Sequence, residues 1–300
     1  MPGIKIFFGA STGNMKLSNL KAIEAVFEKS SLPVLAHCED SDIIEQNLQK
    51  YIQTYGDAIP ARYHTEIRNH AACIQSTKYA ISLAEKYNHP LHILHISTKE
   101  ELKLKPKAGK NVTFETCPQY LVFNQEDFDR LGHLIKCNPS IKTKADQLEL
   151  IRGIIDNTID TIGSDHAPHE LELKNQNYQQ APSGLPGIQF MLQNLLSLQQ
   201  NHPVSITKIV DKMCHNPARI LQIHKRGFIR KGYFADFVLI KNEEYQVNKN
   251  KIYSKCGWSP FEGAVFQHSI HKVFVNGKMT FDQNGFTSEP NGKPLEFNRD

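Results

Sequence analysis

Five short apolar runs, separated by helical stretches, limit the fold of this chain more than any other feature. They cover 4–8, 33–38, 91–97, 112–117 and 161–165, and each reads as a buried strand. Between them, 17–29, 65–87 and 144–155 read as helix; in the first of these Leu17, Leu20, Ile23, Val26 and Phe27 fall at helical spacing. Another helix is expected to start at Thr98. Strands alternating with helices in this way imply right-handed βαβ units and a parallel sheet, an α/β fold. Residues 171–186 are polar, with Pro182 and Gly184 among them, and are expected to form a long loop over a site. After Gly227 the pattern changes: 228–240 and 270–278 read as short antiparallel strands, with Asn276-Gly277 as a hairpin turn.

Composition narrows the function classes. With 40% hydrophobic and 22% charged residues, the chain is that of an ordinary globular protein. A net charge of +4 with dispersed lysines gives no nucleic-acid footprint. No apolar run is long enough to cross a bilayer and the first residues show no secretory pattern, so a cytoplasmic protein without membrane or nucleic-acid partners is expected. The 6 cysteines, at 38, 73, 117, 137, 214 and 256, form no C-x-x-C pair and read as reduced thiols. Cys38 follows a candidate ligand but points to the opposite face of its strand, and is expected to be packing.

Chemistry is concentrated at strand ends. Lys5, His37, His95 and Asp165 lie in or at the end of successive parallel strands. In a parallel barrel such positions converge on one mouth. Two imidazoles and a carboxylate suit zinc in kind and number, one or two ions being compatible with the set. A lysine amine in a buried strand is costly as a cation. Carbon dioxide would convert it to an anionic carbamate able to bridge two metals, and water acidified there would be a nucleophile at neutral pH. Each residue alone has an ordinary reading: a lone strand-end histidine is more often a hydrogen-bonded core residue, by roughly two to one, and a lone lysine a surface residue. His92 is read as structural. The inference rests on four such residues at equivalent places in successive units.

These residues sit in segments that resemble the dihydroorotases of the amidohydrolase superfamily. The segments are Ile-Lys-Ile-Phe-Phe-Gly-Ala-Ser-Thr-Gly-Asn-Met, Leu-Ala-His-Cys-Glu-Asp, Leu-His-Ile-Leu-His-Ile-Ser-Thr, Glu-Thr-Cys-Pro-Gln-Tyr, Lys-Cys-Asn-Pro-Ser, Gly-Ser-Asp-His-Ala-Pro-His and Ala-Pro-Ser-Gly, and the resemblance runs from Gly3 to about Lys278. It implies that Lys5 is the carboxylated bridging lysine, and that His37 and His95 are the histidine ligands of one zinc. Asp165 would bind the other zinc and shuttle the proton. Asn138 and His169 match positions that hold the substrate's ring and carboxylate, and Ser183 and Gly184 a segment whose backbone contacts the ring. Thr12 would help close the loop over substrate. The implied reaction is reversible cyclisation of N-carbamoyl-L-aspartate to dihydroorotate, in pyrimidine synthesis, by a homodimer. Sister cyclic amidohydrolases, hydantoinases and allantoinases, share the frame. The Ser-Thr-Gly-Asn and Lys-Cys-Asn-Pro segments lean toward dihydroorotase.

One departure sets a further expectation. The resemblance implies a complete (β/α)8 barrel whose first strand carries a His-x-His pair, and the chain contains no such pair. Its lysine strand corresponds to the fourth. The expected architecture is therefore an incomplete (β/α)8 barrel, about strands 4–8, over 1–225, with a portion of a small β-sandwich and a tail over 226–300. The absent ligands would supply several of the roughly 10–16 kcal/mol that a complete zinc site provides. Weak or no activity of the chain alone is expected, as a fragment of an active enzyme or, alternatively, as a non-catalytic assembly subunit. Retention of Lys5, His37, His95, Asp165 and His169 favours the first.

Overall fold

The computed structural model describes residues 1–9, 20–106, 111–287 and 290–299. Five parallel strands lie in chain order: β1 (Ile4–Phe7), β2 (Val34–His37), β3 (Leu91–Ile93), β4 (Val112–Thr116) and β5 (Thr161–Ile162). Each pairs with the next in parallel. This is the βαβ sheet expected from the alternation of runs. The strands are shorter than the apolar runs, however: β3 stops at Ile93 and β5 at Ile162, so His95 and Asp165 stand in the turns beyond.

Register divides the sheet into two faces. Ile6, Ala36, Ile93 and Phe114 are aligned across four strands and are each at most 1% exposed. They form one apolar core with Ala80, Ile81 and Ala84 of the helix His70–Tyr87 and Leu150, Ile151 and Ile154 of the helix Lys144–Asp156. The opposite face carries Lys5, Leu35, His92 and Thr113 in register, with Phe7 beside His37 and Glu115 beside Thr161. Cys38 is buried in the outer core, as its parity requires.

Helix starts explain why the turns at the strands' C-terminal ends are well defined. Asp40 caps the helix Ser41–Tyr55, accepting from the backbone of Asp42 and Ile43. Thr98 with Glu101, and Thr143 with Asp146, form capping boxes. The helix Ser41–Tyr55 was not expected from the sequence, although Ile44, Leu48, Tyr51 and Ile52 lie on its inner side. The start of the first helix at Leu17 and the loop residue Thr12 lie outside the described residues. The 171–186 segment is largely irregular, with one short helix, Leu171–Lys174.

A second, antiparallel sheet follows: β6 (Phe237–Gln246), β7 (Val265–Val275), β8 (Lys278–Asp282) and β9 (Gly285–Phe286). Asn276 and Gly277 both take positive φ between β7 and β8, the turn their sequence calls for. The strand expected over 228–240 instead begins at Phe237. Phe266 of β7 stacks on Phe190, and Phe261 on Phe123, so this sheet shares the core of the parallel one.

Candidate active site

The C-terminal edge of the parallel sheet gathers the residues singled out by the sequence. His37 ends β2. Its Nδ1 lies 3.1 Å from Nε2 of His95. His95 reaches that point because its backbone turns left-handed two residues past β3, at φ 41°. Asp165 does the same beyond β5, at φ 43°. Non-glycine residues seldom adopt this conformation, and such backbone strain concentrates at functional sites.

Electrostatics tie Lys5 and Asp165 to the histidine pair. Burial is the main force on Asp165 and raises its pKa; the charges of Lys5 and His37 pull the other way, and Glu115 adds to the rise. Desolvation lowers the pKa of Lys5, against the attraction of Asp165 and Glu115. Lys5 is exposed along the uncovered inner face, with its amine 4.8 Å from the centre of the Phe7 ring. The expectation of a lysine in a buried strand is corrected on this point: Lys5 is exposed on the edge strand, although protein atoms crowd its amine. His95 is buried, and desolvation, then His37 and Lys5, push its pKa well down. It is therefore a neutral imidazole, the form that binds metal.

Two residues that the sequence left without a role support this rim. Glu39 is fully buried and takes a forked pair of hydrogen bonds from Arg68, Nε at 3.0 Å and Nη2 at 2.5 Å. Its Oε2 also lies 3.0 Å from His37 Nε2, within ion-pair reach but out of line for a hydrogen bond. Burial alone would raise the Glu39 carboxyl; Arg68 and His37 outweigh it and hold the group well below the usual carboxylate range. On the inner face, His92 meets Thr113 Oγ1 at 2.7 Å and Thr161 Oγ1 at 3.3 Å. Gly163 leaves room for the Glu115 carboxylate: a Cβ there would lie 2.5 Å from its oxygen.

The remaining candidates form a second group beside the first. His169 Nε2 is 3.1 Å from the Ser183 carbonyl. Gly184 has φ 140°, and a Cβ on it would lie 2.6 Å from Cβ of Ala167 and 3.0 Å from the His169 ring. Its N–H donates to the Lys136 carbonyl and its own carbonyl accepts from Lys174, so neither backbone group is spare. Asn138 presents a buried Oδ1 with no partner among the described residues. Asp165 raises the pKa of the adjacent Cys137, after burial, and so lies within electrostatic reach of this group.

The two imidazoles fit a divalent metal, although among the described residues no carboxylate oxygen joins them within 4.8 Å. Two zinc–nitrogen bonds of about 2.0–2.1 Å at a near-tetrahedral angle separate their nitrogens by roughly 3.3 Å, close to the 3.1 Å between His37 and His95. His95 Nδ1 and His37 Nε2 have no hydrogen-bond partner among the described residues. His70, Glu100 and Asp146 also bring three ligand atoms within 4.8 Å of one another. There, however, Asp146 already accepts from Lys99 N, Thr143 N, Thr143 Oγ1 and His70 Nε2, which makes it a junction of helix caps.

Fold and site together define a hydrolase frame, and comparison with known proteins agrees. The amidohydrolase family model matches residues 10–280, and the chain belongs to that family. Among curated relatives, it is 33% identical over 255 residues to a dihydroorotase of Acetivibrio thermocellus, covering 83% of this chain and 58% of that protein. It is 31% identical over 256 residues to an allantoinase of Bacillus velezensis, covering 84% of this chain and 56% of that protein. The L-hydantoinase (dihydropyrimidinase) of Arthrobacter aurescens superposes with a TM-score of 0.89 over 96% of this chain and 66% of its own, at 22% identity. The likeness to dihydroorotases read from the sequence is thus upheld. The chain spans 58% and 66% of the lengths of the first two dihydroorotases it matches.

Proposed function

We propose that this chain carries the catalytic half of a metal-dependent cyclic amidohydrolase acting on dihydroorotate. The observation that most supports the reading is the His37–His95 pair, 3.1 Å apart, with Lys5 and Asp165 within electrostatic reach of it. His37 and His95 would hold one zinc, with Lys5, once carboxylated, and Asp165 completing the set. A metal held there would supply Lewis-acid polarisation of a carbonyl and acidification of water.

The chain's own groups do the rest. Water adds to the ring carbonyl carbon, the ring C–N bond breaks, and Asp165 carries the proton to the departing nitrogen, opening dihydroorotate to N-carbamoyl-L-aspartate. Burial disfavours the charged form of Asp165, and Lys5 and His37 act against that, so the carboxylate is held between opposing influences at the point where the proton is passed. Asn138, with a buried and unpartnered Oδ1, faces the substrate ring; His169 binds the carboxylate. Ser183 contacts the ring through its backbone N–H, its carbonyl facing His169 Nε2, and Gly184 lets the segment approach closely.

Residues 1–225 form part of an eight-stranded barrel, about its strands 4–8, and β6–β9 are part of a β-sandwich in 226–300. Ligands for the Asp165 side of the centre come from outside this sequence, so the isolated chain turns over weakly. The working assembly is a homodimer. The test is zinc content and hydrolysis of dihydroorotate, hydantoin and allantoin by the 300-residue chain, alone and extended by an upstream His-x-His segment. Activity confined to dihydroorotate, and raised by the extension, is expected. Preference for hydantoin or allantoin would move the assignment to a sister enzyme, and absence of metal at His37 and His95 would remove it.

A further inference from the structure

Two lysines that the reaction does not use are buried beside the substrate group. Lys174 is 1% exposed and Lys136 5% exposed, and among the described residues neither meets a carboxylate. Lys174 Nζ donates to three carbonyls: Pro182 and Gly184 at 2.8 Å each and Lys136 at 3.1 Å. These match the three protons of an ammonium. Two of the three flank Ser183 on either side. Lys136 Nζ donates to the carbonyls of Tyr178 and Ala181 at 2.6 Å and stands 4.2 Å over the Tyr178 ring. The Lys136 carbonyl also takes the Gly184 N–H, at 2.8 Å. His64 closes the same circuit from below, with Nδ1 2.7 Å from Tyr178 Oη and Nε2 2.9 Å from the Cys137 carbonyl.

A buried cation without a counter-charge is unfavourable, and an apolar side chain would fill either position without that cost. Desolvation lowers Lys174 to about 7 and Lys136 to about 8. What the amines provide is geometry: irregular backbone has no ladder of its own, and these donors fix its carbonyls one by one. We propose that Lys136 and Lys174 are positioning residues, a clasp of two amines that binds the 178–184 loop to the 136–138 segment and so sets Ser183 and His169 against Asn138. The role in substrate binding rests on the amidohydrolase reading above; the clasp itself does not.

The experiment uses the 300-residue chain, comparing wild type, Lys174→Met and Lys174→Gln by hydrogen exchange read on peptides and by calorimetric titration with dihydroorotate in zinc. In Lys174→Met, exchange over 178–187 should rise about tenfold or more while 34–38 and 265–275 stay unchanged, as local opening requires. Dihydroorotate should bind about tenfold more weakly. Lys174→Gln, which keeps two donors on a shorter stem, should fall between. Unchanged exchange over 178–187, or an equal rise in all three segments, overturns the clasp. If Lys174→Met does not fold, Lys174→Gln and Lys136→Met decide by the same pattern. A wild-type chain that takes up zinc but ignores dihydroorotate counts against the substrate assignment, while the exchange result still judges the clasp.

Discussion

The two faces of the parallel sheet obey different rules. The outer face is apolar, in register across four strands and sealed by helices; Ile6, Ala36, Ile93 and Phe114 are at most 1% exposed. The inner face presents Lys5, Leu35, His92 and Thr113 at the matching level, and part of it meets solvent. Packing alone explains the first face. The second needs partners for each polar group, and at its C-terminal edge it finds them in Glu39, Arg68, His95 and Asp165. Stability is therefore stored mainly on one face and chemistry on the rim of the other.

The largest effects should come from one substitution on each side. Phe114→Ala opens a cavity in the sealed core and should cost about 3–5 kcal/mol in urea unfolding. Glu39→Gln leaves Arg68 charged and unpaired and should cost a similar amount, about 3–5 kcal/mol. The causes separate on repair: adding Arg68→Met should restore most of the loss at Glu39 and none at Phe114. Equal behaviour of the two pairs would erase the distinction. His95→Asn should alter stability by about 1 kcal/mol yet weaken zinc binding by about 100-fold or more, measured against a competing chelator.

Acid should loosen the rim before the core. Glu39 and Asp146 titrate below their unfolded values, so the stability they add is present above about pH 4 and is lost as pH falls through their lower native values. Tryptophan fluorescence and backbone circular dichroism followed down to pH 2 should show that loss, and Asp146→Asn should shrink it. The smallest effect belongs to Leu35→Ala on the half-exposed inner face, about 1 kcal/mol.

How much of this was legible in the sequence follows the same division. The outer face announced itself, because an apolar strand buried under helices needs no knowledge of its neighbours, and all five strands were found. Strand ends were less visible: 91–97 looks continuous, and only the coordinates show His95 turning left-handed after Ile93. The four rim residues could be named from residue type and position. Their supports could not. Glu39 gains meaning from Arg68, 29 residues away, and Lys174 from carbonyls belonging to Lys136, Pro182 and Gly184. The exposure of Lys5 was hidden too, since a strand's sequence does not tell which of its faces is covered.

The most direct test of the central claim is anomalous diffraction at the zinc edge from crystals of the 300-residue chain grown with zinc. The account expects a peak within bonding distance of His37 Nδ1 and His95 Nε2, with Lys5 and Asp165 facing the same centre. A peak at His70 and Asp146 alone, or rings at 37 and 95 that hold no metal at saturating zinc, would contradict it.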